Sequence, residues 1–365
     1  MPQSKWFRFG YGIALILLII FLGSLVDFIF TPIAVMVTTL FAPIVLAGVL
    51  YYLIRPLVNF LSKYIPRSLS ILLIYLVIIG LVTALVFVIG PPLQKQVSSL
   101  IDNTPGYVNK VREIVVDLSE NEYVDRFQQN DNFSIEELTG RLTDNVNKFL
   151  QTVGNNLMSF ISTLTGILVL VVLIPFILFY MLKDGEKLPG RILNFVPAAH
   201  REEGRKVLSD MDNALSSYIQ GQILVSLLVG ILIYIGYLII GLDYSLVLAF
   251  ISLITNVIPF VGPFIGLVPA LVVGFLDSPM TGVWVIVVVL IVQQLEGNLI
   301  SPQIMGRQLD VHPLTIILLL MVAGSLAGLL GLLLAVPTYA VSKVIVVNTW
   351  RFIKLRRADD NLAAK

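Results

Sequence analysis

The sequence predicts an all-α integral membrane protein, and three observations carry that class. Hydrophobic residues fill 57% of the 365 positions and charged residues only 13%, roughly half the charged share of a soluble domain. Mean hydropathy is +0.92. Apolar runs of about 20 residues, long enough to cross a hydrocarbon core, recur along the chain between Gly, Pro and charged punctuation. Together they predict about eight membrane segments, two of them interrupted, plus a small extracytoplasmic helical subdomain.

Residues 1–92 hold the first three helices. The first, 11–30, follows Lys5 and Arg8, and its length without a small-residue cleavage site predicts a retained helix rather than a signal peptide. Asp27 and Thr31-Pro32 close it. The second, 33–54, stops at Arg55-Pro56. The third, 68–90, ends at Gly90-Pro91-Pro92, because two successive prolines remove two helix donors.

Residues 93–156 turn aqueous, with ten acidic residues against six Lys/Arg. Ile135, Leu138, Leu142, Val146, Phe149, Val153 and Leu157 recur at helical spacing behind a Ser134/Glu137 capping box. This predicts an extracytoplasmic helical subdomain that packs as a spacer and runs into a fourth membrane helix at 157–182. Residues 183–218 form a charged cytoplasmic linker. Its Ile192, Leu193, Phe195 and Val196 predict a segment lying on the membrane surface.

Residues 219–348 form a core with two interrupted segments. It begins with a helix at 219–241, then an apolar stretch from Tyr244 to Leu276 broken at 255–263. A helix at 282–300 follows, then an apolar stretch from Leu314 to Val347 broken at 323–331. A basic cytoplasmic tail, 349–365, closes the chain.

Lys and Arg gather at the N-terminus, at 55–67, at 183–206 and in the tail, so the positive-inside rule puts both termini and both basic loops in the cytoplasm and residues 93–156 outside. Two topologies remain open for the interrupted stretches. Each crosses once, or each is a hairpin that dips in and returns. Half-stretches of about 15 residues reach roughly 22 Å, short of a core of about 30 Å. The hairpin arrangement makes helix plus hairpin, repeated with inverted topology, a pattern that marks binding sites in secondary transporters.

Several function classes are excluded. A net charge of +1 and the lack of any basic block interleaved with aromatics argue against nucleic acid. With no Cys and two His, neither a thiolate site nor a histidine metal cluster assembles. His200 reads as a solvated residue and His312, before Pro313, as a loop residue. No phosphate-binding Gly-rich loop and no His-Glu-x-x-His occurs, so the expectation is no enzyme, no cofactor and transport that is secondary or passive.

The candidate pathway residues lie at the two breaks and on the helix between them. Asn256, Pro259, Gly262 and Pro263 break the first stretch, freeing carbonyls and half-helix ends to meet an ion or polar solute. Gly324, Ser325, Gly328 and Gly331 do the equivalent in the second, and such glycines also serve close helix packing. Glu296 is the one acid in the apolar frame of its helix, with Gln293 a turn before it and Asn298 nearby. A carboxylate at that depth marks an ion or proton pathway, or pairs with Arg307. Asp27 and Asp243 sit at helix ends and read as solvated.

Three motifs carry a family likeness: IPFVGPFIGLVPA (Ile258 to Ala270), QQLEGNLISPQIMGRQLDVHPL (Gln293 to Leu314) and GLLGLLLAVPTYA (Gly328 to Ala340). The chain resembles the autoinducer-2 exporter family of bacterial and archaeal membrane proteins over nearly its whole length. The resemblance implies multi-pass plasma-membrane transporters, pentameric homo-oligomers, and an elevator-like movement of a domain with re-entrant hairpins. By motif position it adds Pro302 and Pro337 to the candidates. It implies two substrate classes, a small polar signal such as autoinducer-2, or Na⁺ or Li⁺ exchanged for H⁺. The leading expectation is an exporter of a small polar metabolite or signal. A cation/proton antiporter using Glu296, with H⁺ or Na⁺ as coupling ion, and a non-transporting membrane scaffold are the alternatives.

Overall fold

The computed structural model describes residues 27–103, 168–305 and 311–363 without interruption, with scattered positions between 10 and 18 and between 105 and 159. Positions 13, 16 and 19–26 of the first expected helix, most of the 93–156 subdomain with its Ser134/Glu137 box, much of the beginning of the fourth helix, and Arg307 with Asp310 lie outside the described residues. Every described element is helical. Five described stretches are long and apolar enough to cross a membrane: Val35–Leu61, Arg67–Asp102, Arg201–Ile239, Pro279–Met305 and Leu314–Asn348. The chain is accordingly a multi-pass membrane protein.

Helices α1 (Asp27–Leu61), α2 (Arg67–Asp102) and α3 (Leu168–Asp184) share one apolar core built from residues such as Ala47, Val58, Ile71 and Leu182. The helix ends expected at Pro32, Pro56 and Pro91-Pro92 are not ends. All of these prolines lie inside helices. For Pro56 the physical reason is visible, since its missing N–H orphans the Tyr52 carbonyl, and Gln220 Nε2 supplies the lost donor at 2.7 Å. Beyond Pro91-Pro92 the helix resumes because proline's φ suits a first helical turn and Gly90 has no Cβ to clash with the ring that follows. Leu93 and Val97 then pack on Val247, holding the extension down to Asp102.

After a short helix, α4 (Leu188–Leu193), comes α5 (Arg201–Ile239), which begins well before the expected start at 219. Its charged first half is a helix rather than a linker because each polar group there has a partner or an aqueous face. Asp212, for example, accepts both bonds from Arg55 Nη1 at 2.7 and 2.8 Å. α5 ends in a Schellman turn, with Leu242 N–H on the Tyr237 carbonyl, Gly241 N–H on Leu238, and Gly241 at φ +69°.

The first interrupted stretch is α6 (Ser245–Thr255) and α7 (Gly262–Asp277). They run antiparallel: Gly262 lies on the Thr255 carbonyl and Gly266 on Ser252. Their 11 and 16 residues amount to roughly 16 and 24 Å of helix, each short of a membrane core of about 30 Å. Ser278 then caps α8 (Pro279–Leu295), its Oγ accepting from Thr281 N–H at 3.1 Å.

The second interrupted stretch lies in α10 (Pro313–Ala363), whose helical course fails at Ala327 and at Gly328, with φ +57° and ψ −136°. The arms fold back on each other at that point, for Gly331 lies on the Ala323 carbonyl and Gly324 against Leu332. The two breaks therefore share one construction, a glycine of the returning arm pressed on a carbonyl of the entering arm. His312 begins α10, its Nδ1 accepting from Leu314 N–H at 3.3 Å.

Candidate functional site

A pocket of about 990 Å³ opens between α5, the first hairpin's tip, the end of α8 and the base of α10. That volume suits an organic solute and far exceeds a bare ion. From α5 it takes Asp210, Asn213, Ser217, Tyr218 and Gln222, so its wall extends roughly 18 Å along the helix. Asp210, Ala214, Tyr218 and Gln222 recur every fourth residue and thus share one face.

The end of α8 delivers the carboxylate. Glu296–Ile300 winds as a π-helix, with Ser301 N–H bonded to the Glu296 carbonyl, and is followed by α9 (Ser301–Met305). The extra residue per turn rotates the helix face so that Gln293, Glu296, Gly297, Ser301 and Pro302 all border the pocket, and such turns concentrate at functional sites. Gln293 Nε2 donates to Glu296 Oε2 at 3.1 Å. The described lining carries two acids, Asp210 and Glu296, and no Lys or Arg.

The tip of the first hairpin forms the facing wall through Pro259, Phe260 and Pro263. Phe260 holds φ +62°, a left-handed conformation that costs a non-glycine residue about 1–2 kcal/mol. Asn256 lies behind the lining, only 2% exposed. Its carbonyl accepts from Gln222 Nε2 at 2.7 Å, tying the hairpin to α5. Its amide nitrogen is buried without a hydrogen bond of ordinary geometry and lies beside the Glu296 carboxyl group.

Of the residues expected from sequence, the pocket thus gathers Pro259, Pro263, Gln293, Glu296 and Pro302, with Asn256 behind them. Gly262 serves the hairpin contact instead. Asn298 turns to the exposed side, its Nδ2 donating to Gln294 Oε1 at 2.8 Å. Gly324, Ser325 and Gly328 stay at the second break, where Ser325 Oγ donates to the Val322 carbonyl at 2.8 Å. The separation has a geometric cause. The pocket meets α10 at Ile316 and Val336, toward the hairpin's base, roughly 18 Å and 12 Å of helix from its tip. The tip of one hairpin packs against the base of the other, with Ile258 in one cluster with Ile316, Leu320, Ala335 and Val336.

The α5 residues of the pocket escaped the sequence reading because their charged surroundings resemble a loop. The signal available was the fourfold spacing itself, carried unbroken from 210 into the apolar run. Among the described residues no group of His, Cys, Asp and Glu is placed to hold a metal ion.

Comparison with known proteins agrees with this architecture. The model of the family described as "AI-2E family transporter" matches residues 15–351. The chain is 45% identical to "Putative transport protein YueF" of Bacillus subtilis (strain 168), covering 98% of this chain and 97% of that protein. It is 34% identical to "Putative transport protein YrrI" of the same organism, over 94% and 95% of the two chains. It is 30% identical to "Putative permease PerM" of Escherichia coli (strain K12), over 85% and 87%. With the match running through both hairpins and the helix between them, the chain belongs to the AI-2E transporter family.

Proposed function

We propose that this protein is a secondary transporter that loads a small polar solute from the cytoplasm into the pocket between α5, α8 and the first hairpin, and exports it. The observation that carries the reading is the pocket itself: about 990 Å³, walled by amides, hydroxyls and a broken helix tip. Positive-inside orientation sets Asp210 and the base of α10 toward the cytoplasm, which supports loading from that side. A solute of the autoinducer-2 class, small and rich in hydroxyls, matches the donors and acceptors of Asn213, Ser217, Gln222 and Gln293. The two acids and the lack of a basic lining residue disfavour anions.

An elevator-like movement fits the way the molecule is divided. The core around Ala47, Val58, Ile71 and Leu182 of α1–α3 is distinct from the main core of α5–α8, which also takes in Leu100 at the end of α2. The seam between them is crossed by polar contacts, Arg55 to Asp212 and Gln220 to the Tyr52 carbonyl, and by apolar ones, Leu93 and Val97 of α2 on Val247. Packed bodies with such a seam can slide or hinge as units. We extend the proposal to re-entrant hairpins, a plasma-membrane location with cytoplasmic termini, and a homo-oligomer, with a pentamer as the form the family resemblance implies.

The topology is open to direct test because the chain has no cysteine of its own. Asp243 and Asp277 flank the first hairpin and are both exposed. Cysteines introduced there, one at a time, should both react with an impermeant maleimide from outside the cell. Labelling from opposite sides would mean that the stretch crosses.

The antiporter reading is favoured by one observation, the Glu296 carboxylate held by Gln293 with the buried Asn256 amide beside it. Proteoliposomes separate the alternatives. The exporter reading expects no Na⁺-dependent dissipation of a pH gradient, together with a metabolite that accumulates in deleted cells and is depleted in overexpressing ones. Na⁺-dependent dissipation that Glu296→Gln abolishes would establish the antiporter, and no flux of any kind would leave a scaffold.

A further inference from the structure

The segment joining α3 to α5 is built unlike the rest of the surface. Leu188 and Ile192 of α4 and Phe195 in the turn that follows all face outward, Phe195 with 92% of its surface exposed. The intervening Leu193 faces inward and packs beneath Gly204 of α5. The outward stripe is therefore not a misfolded core but a second apolar face. Arg191 lies within it, and Arg205 and Lys206 are exposed on the adjoining turn of α5. None of these three cations forms an ion pair of 4 Å or less among the described residues, whereas Asp184 is engaged by Lys187, Glu186 by Arg67 and Glu203 by His200, which leaves Glu202 as the exposed acid beside Arg205 and Lys206. The start of the segment is tied to the membrane frame by Arg67, whose Nε donates to the Leu182 carbonyl at 2.7 Å and whose Nη1 pairs with Glu186 at 2.6 Å, while Arg201 Nε braces the segment's own turn by donating to the Val196 carbonyl at 3.2 Å.

An apolar stripe flanked by unpaired cations, on a segment anchored beside membrane helices, has the chemistry of an interfacial anchor. Apolar side chains enter the boundary of headgroups and acyl chains while Lys and Arg meet anionic headgroups. We infer that residues 185–206 form a docking surface for anionic phospholipids of the adjacent leaflet, with Phe195 and Ile192 inserted and Arg191, Arg205 and Lys206 on the headgroups. Such a contact ties the polar half of α5, which lines the pocket, to the membrane surface. The inference is independent of the solute and of the direction of transport.

The test uses the full chain with a single cysteine at Phe195 carrying a nitroxide. It is reconstituted in vesicles of phosphatidylcholine alone or of equal parts phosphatidylcholine and phosphatidylglycerol. Dissolved oxygen reports lipid contact and a water-soluble nickel chelate reports aqueous contact. In the mixed vesicles the label should favour oxygen, at a depth of roughly 5–10 Å. In phosphatidylcholine alone, or in the triple variant Arg191→Gln, Arg205→Gln and Lys206→Gln, the docked-to-undocked ratio should fall on the order of a hundredfold. A label at Val77, on the exposed apolar face of α2, verifies insertion in every preparation. The proposal is overturned by a nickel-accessible label in both vesicle types, or by burial equal with and without anionic lipid. A label shielded from both reagents also overturns it, because another protein surface would then cover the stripe.

Discussion

Gly297→Trp is expected to stop solute flux while leaving the protein folded. Gly297 borders the pocket, and a Cβ built there meets no atom within 4 Å, so a larger side chain grows into the open volume rather than into the core. An indole brings up to about 250 Å² of surface into that space, and no polar group of the pocket is removed. The rate of solute export from proteoliposomes should fall at least about tenfold, whereas Gly297→Ala should transport at nearly the parent's rate. Melting temperature, followed in detergent, should differ little among the three proteins. Export by Gly297→Trp at the parent's rate would show that the solute travels elsewhere, and the proposed pathway would have to be abandoned.

The second large effect is on folding. Gly262→Ala and Gly331→Ala should each destabilise the protein by about 3 kcal/mol or more, since a methyl group at either position overlaps the carbonyl of Thr255 or Ala323 and the paired arms must move apart. Gly80, on an exposed turn of α2 with open space around its Cβ position, provides the contrast. Gly80→Ala should be neutral or stabilising by up to about 1 kcal/mol, the helix-propensity difference. Thermal unfolding of the three variants in one detergent checks the ranking. Equal stability of Gly262→Ala and the parent would mean that the hairpin arms are not in backbone contact.

The equivalence of Gly262 and Gly331 also bears on what is repeated in this chain. From sequence, the two breaks look unlike each other, one rich in proline and the other in glycine. In three dimensions each places a glycine on a backbone carbonyl across the turn, and each hairpin follows a long helix, α5 or α8. What the two breaks share is thus the close backbone approach rather than the residues around it.

Much of the frame was legible in the amino-acid order. The all-helical membrane class follows from composition. Both breaks, the Gln293–Glu296 pair and the family follow from short motifs, because glycine, proline and buried carboxylates are costly in lipid and stand out against it. Helix ends were less legible. Proline normally ends a helix by removing a donor, yet the carbonyl freed at Tyr52 is rescued by Gln220, a residue 168 positions away, and local sequence carries no trace of such a partner.

The composition of the site was decided by the tertiary structure alone. Gln293 and Glu296 meet through helical spacing, a local property. Asp210, Asn213 and Gln222 reach them only because the charged half of α5 is helical and packs beside the π turn, and Pro259 only because the hairpin folds back. The second tip stays away because it is the base of that hairpin on which the first hairpin's tip packs. The sequence by itself determined where the membrane helices break. Which break faces the pocket depends on long-range packing, and that is a property of backbone contacts between distant segments.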